Sequence, residues 1–159
     1  MKPKITTIEP RKLVGMHMQM TLADDQTAAL WQRFMRRRDE INNRANQLYV
    51  SMQIFTEVPD LSFSPDTPFE KWAAVEVTTY HDIPAGMASH TLQGGQYAVF
   101  IHRGPAAAYP KTAQFIFGVW LPSSGYQLDE REHFDLMEAD YRPDNPNAEE
   151  EIWVPIKVI

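Results

Sequence analysis

YAVFIHRGPAAAYPKTAQFIFGVWLPSSGY, residues 97–126, reads in order as strand, turn, helix and loop. Apolar residues dominate Tyr97 to Arg103, Gly104-Pro105 breaks the chain, and a helical stretch follows whose aromatics gather late, at Phe115, Phe117 and Trp120. A fainter counterpart occupies residues 13–34, LVGMHMQMTLADDQTAALWQRF, where an alternating strand meets a polar break and then a helix ending in Trp31 and Phe34. Two related segments in one small chain predict a pseudo-twofold domain with a cleft on its axis.

Composition agrees. At 159 residues, 43% apolar and 11% aromatic, the chain suits one domain over residues 1–159 with a single sizeable core, built from pseudo-repeats at about 5–80 and 87–158. No run approaches the ~18 apolar residues of a membrane span, and MKPKITTIEP is too polar for a secretory signal. A soluble cytoplasmic protein is expected, with no membrane partner. The absence of cysteine excludes disulfides and thiolate chemistry, leaving carboxylates, histidines, hydroxyls and aromatics. A net charge of −6 repels a phosphate backbone, and the basic run Arg36-Arg37-Arg38 meets Asp39-Glu40 at once, so direct nucleic-acid binding is not expected.

Along the chain, strands are expected at Ile5–Thr7, Leu13–Met20, Gln47–Phe55, Trp72–Tyr80, Met87–Leu92, Gln96–Arg103, Phe134–Glu138 and Glu151–Val158. Helices are expected at about Ala23–Asn42, with Asp24 and Asp25 in its first turn, and Ala106–Leu121. Val58 to Pro68 is a Pro, Ser and Asp-rich excursion without apolar period. The order βαββ, twice, makes this an α+β fold with an antiparallel sheet.

The blocks FEKWAAVEV, IPAGM, GGQYAVFIHRGP, WLPSSGY and FDLMEADYRPDNPNAEEEIWVPIK resemble, in order, the motifs of GyrI-like effector-binding domains. These domains also form the C-terminal ligand-binding part of multidrug-sensing transcription activators. The resemblance covers roughly Leu13 to Lys157. It implies a duplicated βαββ fold, an antiparallel sheet flanked by two long helices and an aromatic cleft between the halves. With a first strand near Ile5, a standalone member is expected.

Asp135 is the leading site candidate. Alternation in Phe134-Asp135-Leu136-Met137 puts Asp135 and Met137 on one face. From the residues alone, Asp135 is either a solvent-facing acid at a sheet edge or a pocket acid. In similar proteins the matching residue is usually a Glu on the pocket floor that attracts cationic drugs, and Met137 stands where a Tyr is common. Among the aromatics, Trp120, Tyr49 and Trp72 are the preferred walls, and Phe117 and Tyr141 complete the expected ligand-binding set; each of the walls could instead be core filler. Aromatic walls around a carboxylate suit flat, cationic or amphipathic ligands.

Glu76 is a second strand acid, either facing outward or pairing with Asp135 for acid–base work, and Glu151 resembles an acid common at its position in the family. The run Glu149-Glu150-Glu151 reads as a solvated approach to the last strand. His81 and Asp82 are adjacent, and His17, His90, His102 and His133 lack metal-ligand spacing, so no metal or cofactor is expected. Ser123-Ser124 reads as turn. Two function classes remain. The leading one is a small-molecule binder serving transcriptional sensing or drug sequestration, with or without a protein partner. The other is a hydrolase of cyclopropane-bearing DNA-alkylating natural products, with Asp135, Glu76 or Glu151 as catalytic candidates. A gyrase-modulating interaction protein, also known in the family, is a weaker alternative.

Overall fold

The computed structural model describes residues 1–55 and 64–159. Most of the excursion expected at Val58 to Pro68 therefore lies outside the described residues. The strands are β1 Lys4–Ile8, β2 Arg11–Met20, β3 Tyr49–Phe55, β4 Phe69–Val77, β5 Ala88–Leu92, β6 Gly95–Arg103, β7 Tyr126–Leu128, β8 His133–Met137 and β9 Glu149–Val158. Helix α1 spans Thr27–Arg37, and the second helical stretch joins α2 Tyr109–Phe115, a π-helical segment Ile116–Trp120 and α3 Leu121–Ser123. The strands form an antiparallel sheet in the order β1-β6-β9-β8-β3-β4-β2-β5, with β7 pairing the far end of β9. Short β7 is the strand that the sequence pattern does not announce.

The halves meet where β3 pairs with β8. Outward from that seam one side runs β3-β4-β2 and the other β8-β9-β6. Each half thus places its second, third and first strands in the same order, as a duplicated βαββ unit requires. Period-two alternation then sorts side chains to two faces. On one face, Val14, Val75 and Tyr49 pack with Leu30 and Phe34 of α1, while Phe100, Val154 and Ile156 pack with Ile116 and Leu121 of the second helical stretch. On the other, Leu13, Met52, Trp72, Tyr97, Phe134 and Trp153 form one cluster spanning both halves. Ile8 of β1 and Leu92 of β5 pack against this same cluster from opposite ends of the strand order, so the sheet curls around it. Burying each such Leu or Phe contributes about 1.5–3 kcal/mol, and the two-faced core replaces a conventional sandwich.

Helix α1 is shorter than expected because Asp24 and Asp25 build the turn in front of it. Thr21 Oγ1 accepts from Asp24 N–H at 3.0 Å, and Asp25 Oδ1 accepts from Thr27 N–H at 2.9 Å. Such side-chain bonds compete with helical backbone pairing and hold the acids outside it. Leu30 and Phe34, four residues apart, face the core, and Trp31 and Met35 lie one step around. No helix among the described residues is long and apolar enough to cross a membrane.

Candidate ligand-binding site

The seam between the halves runs down the floor of a cleft of about 1460 Å³. On β3, alternate residues Tyr49, Ser51 and Gln53 face it; directly opposite on β8 stand Met137, Asp135 and His133. Lys71 of β4 and Glu150 and Ile152 of β9 extend the floor to either side. Trp31 and Met35 of α1 line one wall, Tyr109 and Ala113 of α2 with Phe117 of the π segment the other. The side chains of Arg44 and Tyr49 stack, with the guanidinium 4.8 Å from the ring centre, which fixes that tyrosine at the floor.

Two acids and a lysine are almost fully withdrawn from water there: Asp135 is 6% exposed, Glu150 7% and Lys71 8%. Asp135 pairs across the ladder with Ile152, which makes Glu150 its diagonal neighbour, with Cα atoms roughly 7–8 Å apart and side chains within reach. Each carboxyl acts on the titration of the other at this range. Burial, and then the charge of Glu150, push the Asp135 carboxyl well above its usual range, with Lys71 opposing. Burial also raises Glu150, against the pull of His102 and Lys71. Two carboxyls in a dry site cannot both ionise, so the pair shares a proton held mainly on Asp135. The Tyr109 hydroxyl stands over the same floor, and burial together with the charges of both acids keeps that phenol protonated. Tyr141 is pushed up to about 12 by burial, Glu150 and Asp135.

Lys71 is driven the other way. Burial lowers its affinity for a proton, while Asp135, Asp25 and Glu150 oppose that loss. His133 is a neutral polar element. Burial, aided by the Arg131 charge, brings it down to about 3, and its ring lies 5.1 Å from that of Phe55 and 6.3 Å from that of Phe117. The floor can therefore hold a proton between two acids, supply a hydroxyl donor from Tyr109, and offer charge of both signs beneath aromatic walls.

Of the residues picked out by sequence, Asp135, Met137, Tyr49, Phe117 and Tyr141 come together at this cleft. Asp135 is not a solvent-facing edge acid, since β8 lies between β3 and β9. Trp72 does not line the cleft. On β4 the face shared with Ala73 and Val75 falls to Lys71, so Trp72 points to the opposite cluster, stacks on His17 at 4.4 Å and donates its indole N–H to Glu70. Trp120 does not line it either. A π turn closes i to i+5, so Trp120, three residues after Phe117, rotates away to pack on Phe100 at 5.2 Å and Tyr126 at 6.2 Å.

The other two acids also lie elsewhere. Glu76 accepts from the Asn46 side-chain amide at 3.2 Å near the end of β4, and Glu151 accepts from the Trp153 indole at 3.2 Å on the face opposite Glu150. Neither pairs with Asp135. Glu150, Lys71, Tyr109 and His133 escaped the sequence reading. For Glu150 the signal was present: Ile152, Val154 and Ile156 share a core face, and two steps back along that face stands Glu150, not Glu151. No group of His and acidic residues among those described is arranged to hold a metal.

The family model of the GyrI-like small molecule binding domain matches residues 1–157. Transcriptional regulator BrlR of Pseudomonas aeruginosa is 26% identical over 150 residues, covering 91% of this chain but 51% of its own length, so this chain spans about half of that regulator. Among solved structures, SAV2435 bound to tetraphenylphosphonium superposes with a TM-score of 0.77 at 19% identity, covering 99% of this chain and 94% of that one. A hydrolase encoded by lin2189 from Listeria innocua gives a TM-score of 0.61 at 12% identity, covering 98% and 92%. With the family model matching almost from end to end, over a duplicated βαββ sheet with its cleft at the seam, the chain belongs to the GyrI-like small molecule binding domain family.

Proposed function

We propose that this domain captures aromatic, amphipathic small molecules carrying positive charge in the cleft between its halves, for sensing or sequestration. The observation that carries this reading is the Asp135–Glu150 pair, two buried carboxyls set as diagonal neighbours at the floor of an aromatic cleft. A cation above the pair replaces the shared proton and gains an attraction that the dry surroundings leave unscreened. Trp31, Tyr49, Tyr109 and Phe117 supply flat surfaces for stacking and cation–π contact, about 0.5–2 kcal/mol apiece. That SAV2435, similar in fold, is bound to tetraphenylphosphonium, a lipophilic cation with four aryl rings, supports this reading.

Titrating the protein with tetraphenylphosphonium in a calorimeter tests it. Saturable one-to-one binding that weakens at least about tenfold, or about 1.4 kcal/mol, in Glu150→Gln is expected. Binding that is absent, or indifferent to both Asp135→Asn and Glu150→Gln, overturns it.

The same carboxyl pair favours a second reading, hydrolysis. One carboxyl could take a proton from water as its oxygen bonds to a strained ring carbon. The electron pair of the breaking C–C bond would then pass into a conjugated carbonyl, protonated by the partner acid or by Tyr109. A similar structure described as a hydrolase supports this class. Turnover of a cyclopropane-bearing alkylator beyond one equivalent, followed by mass spectrometry and lost in Asp135→Asn or Glu150→Gln, would establish it. Stoichiometric binding with unchanged compound excludes it for that substrate class.

A further inference from the structure

We propose that the ligand of this cleft is dipolar, with a cationic aromatic part over Asp135 and Glu150 and an anionic group, a carboxylate, docked on Lys71. This rests on the reading of the cleft as a small-molecule site. Lys71 lines the cleft from β4 and is 8% exposed, yet among the described residues it forms no ion pair within 4.0 Å. Burial without a contacting counter-ion weakens the hold of this lysine on its proton, and an arriving anion restores that hold and gains the attraction.

The acids of the floor act on Lys71 through space but make no ion pair with it within 4.0 Å. Lys71 stands opposite Gln53 on one side of β3, and Asp135 opposite Ser51 on the other side. Two strand spacings across and two residues along put their Cα atoms roughly 12 Å apart. Asp135 and Glu150 engage each other and share a proton, so the two together present about one negative charge. Asp25, the other acid whose charge reaches Lys71, is exposed at the approach to α1 and its field is weakened by water. Between the poles lie the neutral groups Ser51, Gln53 and His133. The floor is near neutral in sum and polarised along its length, so a simple lipophilic cation meets repulsion at the Lys71 end where a zwitterion meets attraction.

Two fluorescent dyes with one xanthylium core separate the cases: rhodamine 110, which carries a free carboxylate, and rhodamine 123, its methyl ester. Fluorescence anisotropy at neutral pH is expected to show the wild type binding the acid at least about tenfold more tightly than the ester. Lys71→Met should lose that preference and bind the ester several-fold more tightly, because a like charge has gone. Lys71→Arg should keep the preference. Thermal melts check folding, and Lys71→Gln carries the same comparison if the Met variant melts early. If the wild type binds both dyes and Lys71→Met leaves their ratio unchanged, the anionic subsite is refuted while the cleft remains a small-molecule site. If the wild type binds neither dye but binds tetraphenylphosphonium, the dipolar ligand is again refuted. If it binds none of the three, the reading of the cleft falls and this proposal with it.

Discussion

Lys71 and Glu150, a base and an acid, occupy matching positions in the two halves of the sheet. The register shows it: Gln53 on β3 faces Lys71 on β4, and Met137 on β8 faces Glu150 on β9, while Ser51 and Asp135 pair at the seam itself. Rotation about an axis between Ser51 and Asp135 carries Gln53 onto Met137 and therefore Lys71 onto Glu150. The same rotation carries Leu13 onto Tyr97 and Val14 onto Ala98, which do fall on equivalent faces. A fold with twofold character thus holds a site without it.

Cation binding should strengthen with pH. The folded pair holds a proton that a cation must displace, because burial raises both carboxyls. Affinity for tetraphenylphosphonium is expected to rise about tenfold between about pH 5.5 and about pH 8.5 and to rise less steeply in Glu150→Gln, where burial alone still raises Asp135. Titrations across this range check it, and an equal slope in the variant refutes it.

The same pair sets a stability trend of opposite sense. Groups whose folded values lie above the unfolded carboxylate range stabilise the fold below about pH 4, and that contribution is lost as pH rises through the raised folded values. Asp135→Asn should therefore melt higher than wild type at about pH 8, with the difference vanishing near about pH 4. Calorimetric melts at both values read this directly; a variant less stable at high pH would contradict it.

His133 governs the acid limb. Its folded value of about 3 lies below the unfolded 6.5, so its neutral form contributes stability above 6.5 that drains away as pH falls toward 3. His133→Phe should lose less stability than wild type on acidification, with the gap growing to a few kcal/mol by about pH 4. Denaturant midpoints at several pH values give the comparison, and parallel curves would show that His133 carries no such linkage.

Arg131 fastens the turn between β5 and β6. Its guanidinium donates to the carbonyls of Gly94 at 2.9 Å, Gln96 at 2.5 Å and Ile156 at 3.2 Å, pairs with Asp129 and lies 4.7 Å from the Tyr97 ring centre. Beside it, His90 bonds to the Glu132 carboxylate at 2.7 Å. Arg131→Ala leaves several carbonyls without donors and should destabilise by about 3–5 kcal/mol, with Arg131→Lys intermediate. Chemical unfolding measures it.

Gly15 lies where β2 crosses Ala73 and Ala74 of β4, and a Cβ there would come within 2.6 Å of the Ala74 backbone. Gly15→Ala must push the strands apart and should cost about 1–3 kcal/mol. A melt unchanged from wild type would show that the ladder yields freely.

Alternation and punctuation made the architecture legible. Leu13–Met20 and Tyr97–Arg103 show their faces in sequence, and Gly104-Pro105 marks the passage into a helix. The placement of Asp135 and Met137 on a common face also followed from period two. What stayed hidden depends on parity and pitch. In FEKWAAVEV a core tryptophan sits next to a cleft lysine, and in EEEIWVPIK three consecutive acids differ only in which face the pairing gives them. Trp120 was displaced by a local π turn, for which residues 116–120 carry no distinctive sequence mark. Lys71 was invisible as a site residue because its burial is created by helices and strands distant in sequence.

Because the seam passes through the floor, neither half alone contains the site. A homodimer of one such unit would set identical side chains on both sides of the axis, and a bound molecule could enter in either of two equivalent orientations. Joining the units in one polypeptide removes that obligation. Lysine on one side and glutamate on the other give the cleft a head and a tail, so a single chain can hold a molecule whose ends differ, in one orientation only.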